Sequence, residues 1–177
     1  DCGEELAQML TENKTLEHLE CAWNELRKEG AVQVARAVAA NTGLRNLDVH
    51  FNSFGDAAAK ALAEELPKHS AARPKPAKGK KLKPFDTSKL RSKLVSVNLG
   101  ANGITDASCA VLASMLENAC TLHAVLLDGN PITKDGAVVL RTAAMGANAV
   151  VSLEGCSVLS HAERNAMNHA MERPRTR

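Results

Sequence analysis

One spacing of apolar residues recurs four times along this chain and limits what it can fold into. Between Leu94 and Ile104, apolar side chains stand at the first, fourth, sixth and eleventh places, and Asn102 stands at the ninth. The step from the first set to the second equals the step from the third to the fourth. The four sets are Leu16, Leu19, Cys21, Asn24 and Leu26; Leu44, Leu47, Val49, Asn52 and Phe54; Leu94, Val97, Leu99, Asn102 and Ile104; and Leu122, Val125, Leu127, Asn130 and Ile132. This period predicts a solenoid of stacked units.

Each unit is expected to contain a short strand, a tight turn and a helix. In the unit that begins at Leu16, we expect the strand near Leu19–Cys21 and the helix over about Lys28–Ala40, where Val34 and Val38 face inward at helical spacing. Aromatic residues make up 2% of the chain, so the core must consist of Leu, Val and Ala. Such residues suit small identical wedges that stack side by side.

The period divides the chain into four segments. Residues 1–71 contain repeats, of which the first is partial; residues 72–93 are a basic, Pro- and Lys-rich insertion; residues 94–158 contain further repeats; and residues 159–177 contain a capping helix and a basic tail. A fifth, degenerate unit is expected to begin at Val150, with Val158 in the place of the asparagine. Because a repeat buries its apolar face only against neighbouring repeats, a chain that starts on a helix is expected to be a fragment of a longer array, and the alternative is an unusual N-terminal cap.

The recurrent asparagines have a structural explanation. An asparagine at the end of a strand can form hydrogen bonds with the backbone of its own turn and of the neighbouring turn. We therefore expect a structural ladder at Asn24, Asn52, Asn102 and Asn130. Thr105 and Thr133 stand where helices begin and are expected to accept bonds from free backbone N–H groups. Gly30 and Gly136 are expected where a helix lies closest to the strand layer.

With four matching units, the sequence resembles the ribonuclease-inhibitor-like class of leucine-rich repeat proteins. The long unit, the asparagine in the turn and the full helix over residues 30–41 are the features that carry this resemblance. The resemblance implies an α/β fold, a leucine-rich repeat solenoid with a curved parallel sheet inside and helices outside. The class includes enzyme inhibitors, immune sensor domains, GTPase activators, and axonemal and cytoskeletal scaffold proteins. The resemblance therefore predicts a fold but does not identify a partner.

Alternate strand side chains are expected to point into the concave face of the sheet. Trp23 and Phe51 hold equivalent places in adjacent units, so they should be lateral neighbours; they either anchor a protein partner or only cover the turn backbone. Glu20 and Asp48 are also neighbours; two such carboxylates can raise each other's pKa, although acidic residues on a concave face normally serve recognition. The candidate partner-binding residues are His18, Glu20, Trp23, Asp48, His50, Phe51 and Asn98.

The insertion at 72–93 carries a concentrated excess of positive charge. With Asp86 as its one acidic residue, it has a net charge of +8, and because the whole chain has +2, the remainder has −6. The segment is a solvated linker, an electrostatic clamp for an acidic protein tail or nucleic acid, or a targeting signal. A clamp would use Arg73, Lys75, Lys78, Lys80, Lys81, Lys83, Lys89, Arg91 and Lys93.

Other classes of function find little support in the sequence. The five cysteines are odd in number and lack CxxC spacing, which indicates a reduced intracellular protein without a disulfide framework or zinc site. No apolar run approaches the length of a membrane span. We find no phosphate loop and no Ser-His-Asp or paired catalytic carboxylates. We therefore expect no catalytic residues, metal, cofactor or small-molecule substrate.

The function predicted from these observations is a non-catalytic protein–protein interaction scaffold in a larger cytoplasmic assembly. The class resemblance and the cationic segment favour a cytoskeletal, axonemal or ciliary setting. The alternatives are a regulatory or sensor repeat domain, as in immune receptors or GTPase regulators, and a nucleic-acid contact through residues 72–93. In each case the sequence leaves the partner unidentified.

Overall fold

The structure, a computed structural model, describes residues 2–69 and 92–156. These residues alternate between helix and strand from one end to the other. The elements are α1 (Cys2–Glu12), β1 (His18–Glu20), α2 (Lys28–Ala40), β2 (Asn46–Asp48), α3 (Gly55–His69), β3 (Ser96–Asn98), a 3-10 turn (Asp106–Ser108), α4 (Cys109–Asn118), β4 (Ala124–Leu126), α5 (Lys134–Ala147) and β5 (Val150–Ser152). The helix expected at Lys28–Ala40 is confirmed, and the strand expected near Leu19–Cys21 begins one residue earlier.

The five strands form one parallel sheet in the order β1-β2-β3-β4-β5. His18 pairs with Asn46, Asn46 with Ser96, and Ser96 with Ala124, so the second and third units align across the insertion. Each strand is connected to the next through a helix, and successive helices pack on one another along one side of the sheet. The predicted fold class, a leucine-rich repeat solenoid, is confirmed.

The core lies between the sheet and the helices. One residue of each strand is directed into it, and these central residues in β2 to β5 are at most 2% exposed. Opposite them, the helices contribute Ala, Val and Leu; Phe54 is the one aromatic residue in the described core. Burial of this apolar surface from water is the main stabilising contribution. Within residues 2–69 and 92–156, none of the helices has the length and apolar character that a membrane crossing requires.

The asparagines connect consecutive turns. Asn102 donates its side-chain amide to the carbonyls of Val49 (2.9 Å) and Gly100 (3.0 Å) and accepts from the N–H of Phe54 (3.1 Å). Asn130 likewise donates to the carbonyls of Leu99 and Leu127 and accepts from the N–H groups of Asn102 and Ile104. Asn52 makes equivalent bonds to the first unit. Asn24 is exposed and donates only within its own turn.

The fifth unit follows a shorter register than the sequence suggests. Val150 pairs with Ala124, where an unbroken period would have placed Ser152. The chain leaves α5 through a left-handed residue, Asn148 (φ 53°), and therefore enters the strand early. The expected start of the unit at Val150, one full period after Leu122, is therefore wrong. In the fifth unit, Cys156 occupies the position that asparagine holds in the other units. Its thiol donates to the carbonyl of Leu127 (3.4 Å), which also accepts from the side-chain amide of Asn130. Val158 lies outside the described residues.

The basic insertion leaves and re-enters the solenoid at one point. The N–H of Ser92 donates to the carbonyl of His69 at 2.9 Å, so these two residues lie side by side. Ser92 is fully buried, and its hydroxyl accepts from the N–H of Leu94. The repeat therefore includes Ser92, which the spacing had assigned to the insertion.

Carboxylates at two helix starts bind the next unit. Asp56 accepts from the N–H (2.9 Å) and hydroxyl (2.8 Å) of Thr105 and from the hydroxyl of Ser108 (2.5 Å). Burial raises the pKa of Asp56, but the hydrogen bonds from Ser108 and Thr105 lower it by more, so its net pKa lies below the ordinary value. Asp106 accepts in the same way from the N–H and hydroxyl of Thr133.

These contacts change two expectations about helix starts. Thr105 does cap its helix, because its hydroxyl accepts from the N–H of Ala107 (3.2 Å). The hydroxyl of Thr133 makes no such bond, since it donates to Asp106 instead. A Cβ on Gly136 would collide with Asp106 and come within 2.8 Å of Cys109 Sγ. That glycine therefore allows close contact with the preceding helix and not, as expected, with the strand layer.

Replacement of residues 70–91 by a short Gly-Ser linker is expected to leave the melting temperature within about 3 °C of the wild-type value. The physical reason is that His69 and Ser92 are already joined by a backbone hydrogen bond, which a short linker can span. A matched variant in which the same linker replaces residues 72–93 also loses buried Ser92, so its melting temperature should be lower. Equal losses in both variants, measured by thermal circular dichroism, would contradict this account.

Asp56→Ala is expected to lower the free energy of unfolding by about 1–3 kcal/mol, because it leaves donors of the next unit without their acceptor. Since the pKa of Asp56 is lowered in the folded state, its contribution is complete above the unfolded-state pKa of about 4. This contribution is lost as the pH falls through the lower folded-state pKa. Urea unfolding at pH 7 and pH 3 tests this, with Asp106→Ala as the control, since its bonds are exposed and water can replace them.

Candidate functional site

Three residues after the end of each strand stands a residue with left-handed backbone. These residues are Trp23 (φ 59°), Phe51 (φ 50°), Ala101 (φ 49°), Gly129 (φ 68°) and Gly155 (φ 67°), and we call them the turn row. Glycine adopts this conformation without steric cost, whereas for a bulky residue it is unusual. Together with the strand side chains that point away from the helices, the turn row forms the inner face of the sheet. Most of the candidate binding residues lie there.

Trp23 and Phe51 stack on each other, as their equivalent places predict. Their ring centroids are 3.9 Å apart and their planes differ by 11°. The side chains remain open to solvent, with Trp23 71% and Phe51 46% exposed. His50 contacts both rings edge-on, at 5.3 Å from Phe51 and 6.3 Å from Trp23. The result is an exposed aromatic cluster on the first two units.

Asp48 organises the polar side of this cluster. One carboxylate oxygen accepts from the ring Nδ1–H (2.6 Å) and the backbone N–H (2.9 Å) of His50, and the other accepts from the Asn98 amide (2.9 Å). Burial raises the pKa of Asp48, but these hydrogen bonds lower it by more, so the net pKa lies below its ordinary value. Glu20 therefore does not raise the pKa of Asp48 above its ordinary value, although the register does pair the two residues.

The two histidines of the inner face hold their protons on different nitrogens. An Asn46 amide N–H can only donate, so His18 Nδ1, 2.8 Å away, must accept, and in the neutral ring the proton sits on Nε2. His50 Nδ1 faces a carboxylate and must donate, which in the neutral ring leaves Nε2 as an acceptor. The inner face therefore offers both a donor and an acceptor ring nitrogen.

Asp128 is an inner-face residue that sequence reasoning left out of the candidate set. One of its oxygens accepts from the Ser152 hydroxyl (2.5 Å) and the Glu154 N–H (2.6 Å). Its backbone carbonyl accepts from the N–H of Ala101 (2.7 Å) in the adjacent turn. Its position two residues after a strand, equivalent to that of His50, was the signal that pointed to it.

Most of the predicted clamp for an acidic partner cannot be placed. Arg73, Lys75, Lys78, Lys80, Lys81, Lys83, Lys89 and Arg91 lie outside the described residues, as does the expected C-terminal capping helix. Lys93 is described and is exposed. The described part of the chain contains no grouping of His, Cys, Asp and Glu suited to a metal ion. Burial, together with nearby carboxylates, raises the pKa of Cys109 to about 12, which keeps that thiol protonated and unreactive.

Comparison with known proteins supports the repeat assignment. A family model described as leucine-rich repeat matches residues 40–63. Two curated mouse (Mus musculus) proteins are similar: NACHT, LRR and PYD domains-containing protein 4C is 28% identical over 78% of this chain, and protein 4E is 26% identical over 89%. The chain spans only 15% and 17% of the lengths of these relatives.

Two solved structures share the fold over 98% of this chain. One is described as leiomodin-1 actin-binding site 2, with a TM-score of 0.68, 13% identity and 89% of that chain covered. The other is a tropomodulin C-terminal domain from Caenorhabditis elegans, with a TM-score of 0.64, 15% identity and 93% coverage. At these identities the similarity concerns the fold alone.

NMR of the histidine side chains should show His18 with its proton on Nε2 and His50 with its proton on Nδ1 when both rings are neutral. Long-range nitrogen–proton correlation spectra distinguish the two tautomers directly. Asp48→Ala should release His50 into a tautomer mixture and leave His18 unchanged, whereas Asn46→Ala should do the reverse. A single shared tautomer in the wild-type chain would contradict the hydrogen bonds described above.

Proposed function

We propose that this leucine-rich repeat protein is a non-catalytic interaction module that holds a protein partner on its inner face. The observation that carries the proposal is the Trp23–Phe51 stack, which is exposed to solvent and built from two residues in left-handed backbone conformation. Left-handed backbone costs about 1–2 kcal/mol for a residue with a side chain. Strained, exposed aromatic residues contribute little to folding, and they are typical anchors of protein interfaces.

The setting that we propose is a cytoskeletal assembly. The two solved neighbours support it, since one is described as an actin-binding site of leiomodin-1 and the other is a tropomodulin domain. In this proposal the inner face contacts the protein partner. The basic segment 72–93 contacts an acidic surface, such as an acidic protein tail, on the strength of its +8 charge.

A second candidate function is that of a sensor or regulatory repeat domain. The two curated relatives favour it, because both are named for NACHT and PYD domains as well as leucine-rich repeats. The candidates differ in what accompanies the repeats in the full-length protein. A nucleotide-binding domain in the same polypeptide would favour the sensor, and co-purification with filaments would favour the cytoskeletal module.

Photo-crosslinking from the inner face is expected to capture a protein partner that the outer face does not. We would place benzoylphenylalanine at Ser96, on the inner face of β3, or at Ala110, exposed on α4, in the full-length protein in cells. Adducts should form from Ser96 and fall at least about fivefold with Trp23→Gly and Phe51→Gly. Equal adducts from Ala110, or adducts unchanged by the glycine variants, would contradict the proposal.

Glycine is the appropriate replacement because it removes the rings and relieves the left-handed strain together. The loss of stacking, about 0.5–1.5 kcal/mol, is then roughly offset, so the variants should keep their circular dichroism spectrum and stability. A large loss of stability would show that the two rings serve mainly to cover the turn. Pelleting of the adducts with actin filaments tests the cytoskeletal setting separately.

A further inference from the structure

The side chains of the turn row become abruptly smaller between the second and third units. Trp23 and Phe51 are followed by Ala101, Gly129 and Gly155, so the row passes from two rings to almost bare backbone. Trp23 covers one face of Phe51, and on the other side the next residue of the turn row is Ala101, whose methyl group is too small to cover a ring. The small residues Ala101 and Gly129 therefore leave space beside Phe51, on the side of its ring away from Trp23. We call this the Ala101 slot.

The charge around the slot has one sign. Residues 18–23, 46–51, 96–101, 124–129 and 150–155, which make up the strands and their turns, include no Lys or Arg. The same residues include Glu20, Asp48, Asp128 and Glu154, a net charge of −4 with histidine neutral. The nearby cation Arg45 is engaged with Glu17 (3.4 Å) outside these turns. An occupant that carries positive charge would meet no like charge on this face.

Asp128 lies beside the floor of the slot. Its carbonyl bonds the N–H of Ala101, which brings the two residues into adjacent turns. Ser152 and Glu154 hold one carboxylate oxygen, and the second oxygen has no hydrogen-bond partner within residues 2–69 and 92–156. The carboxylate of Asp48, by contrast, is occupied at both oxygens. Asp128 is thus the inner-face aspartate with a free acceptor.

We propose that the Ala101 slot binds an arginine side chain from a basic segment of the partner protein. A guanidinium is planar, so it can stack on the open face of Phe51 while it donates to the free oxygen of Asp128. A lysine ammonium carries the charge but cannot stack as a plane, and nucleic acid is disfavoured by the carboxylates. This assignment rests on the proposed function, since it names the chemistry that the inner face would recognise.

The test uses three acetylated, amidated pentapeptides, Gly-Ser-X-Ser-Gly, where X is arginine, lysine or citrulline. Each is titrated into the nitrogen-15-labelled full chain while the amide signals of Ala101 and Gly129 are followed by NMR. The arginine peptide is expected to shift these signals and to bind at least about fivefold more tightly than the other two. Equal binding of lysine would show that charge alone acts, and equal binding of citrulline would show that charge is not needed. Either outcome, or no shift at all, overturns the proposal.

Variants of the slot refine the test. Ala101→Phe should fill the slot, and the position tolerates a ring because its φ of 49° matches the φ of 50° at Phe51. Asp128→Asn keeps the acceptor for Ser152 and Glu154 but removes the charge. Both should weaken arginine binding at least about fivefold, as should Phe51→Leu, which needs no new ring to fit. Glu117→Gln, which removes an equal charge at an exposed position of α4, should change the affinity for the arginine peptide less than about twofold.

Failure of this inference and failure of the proposed function give different results. If the inner-face crosslinks form and depend on Trp23 and Phe51, but Ala101→Phe and Asp128→Asn leave them unchanged, the interaction module stands and the arginine assignment is wrong. If no inner-face crosslink forms, the proposed function itself fails. Binding of the arginine peptide together with loss of crosslinks in both slot variants supports the two proposals jointly.

Discussion

The asparagine ladder is the interaction on which the rest of the solenoid depends. Strands of three residues pair only briefly, and the backbone then turns away, so the N–H and C=O groups of the turn have no sheet partner. Asn52, Asn102 and Asn130 satisfy these groups within their own turn and within a neighbouring one. Each asparagine thereby fixes how its unit sits on the preceding one, and the alignment of the inner-face side chains follows from that.

A second set of contacts fixes the units at the helix side. Asp56 and Asp106 each accept from a threonine of the following unit, and Asn41 donates its amide to the carbonyls of Leu10 and Asn13. The bonds of Asp56 and Asp106 lie at helix starts, close to the ladder, whereas the bonds of Asn41 lie at the end of a helix. Together with the ladder, these bonds hold adjacent units at more than one point. This explains how the second and third units remain aligned although the whole segment 70–91 lies between His69 and Ser92 in the sequence.

The fold could be predicted well from the sequence, because the residues that recur at the repeat spacing are the ones that the solenoid buries. The sequence predicted the stacking of Trp23 on Phe51 for the same reason, since equivalent positions become neighbours. It could not predict the lowered pKa of Asp48, which depends on hydrogen bonds that the spacing does not reveal. One comes from the His50 ring and depends on its rotamer, and another comes from Asn98 in the next unit. The register of the fifth unit was also missed, because the early exit through Asn148 depends on backbone conformation and not on the apolar pattern.

The left-handed backbone of the turn row has a consequence for how such a surface can change in evolution. Every unit already keeps one backbone position in a conformation that glycine adopts freely and that Trp23, Phe51 and Ala101 nevertheless occupy. A single codon change there can add or delete a whole ring without moving the chain, because the geometry is imposed by neighbouring units. Large and small side chains along this edge are therefore interchangeable. The surface that a descendant protein presents can change while its backbone stays constant.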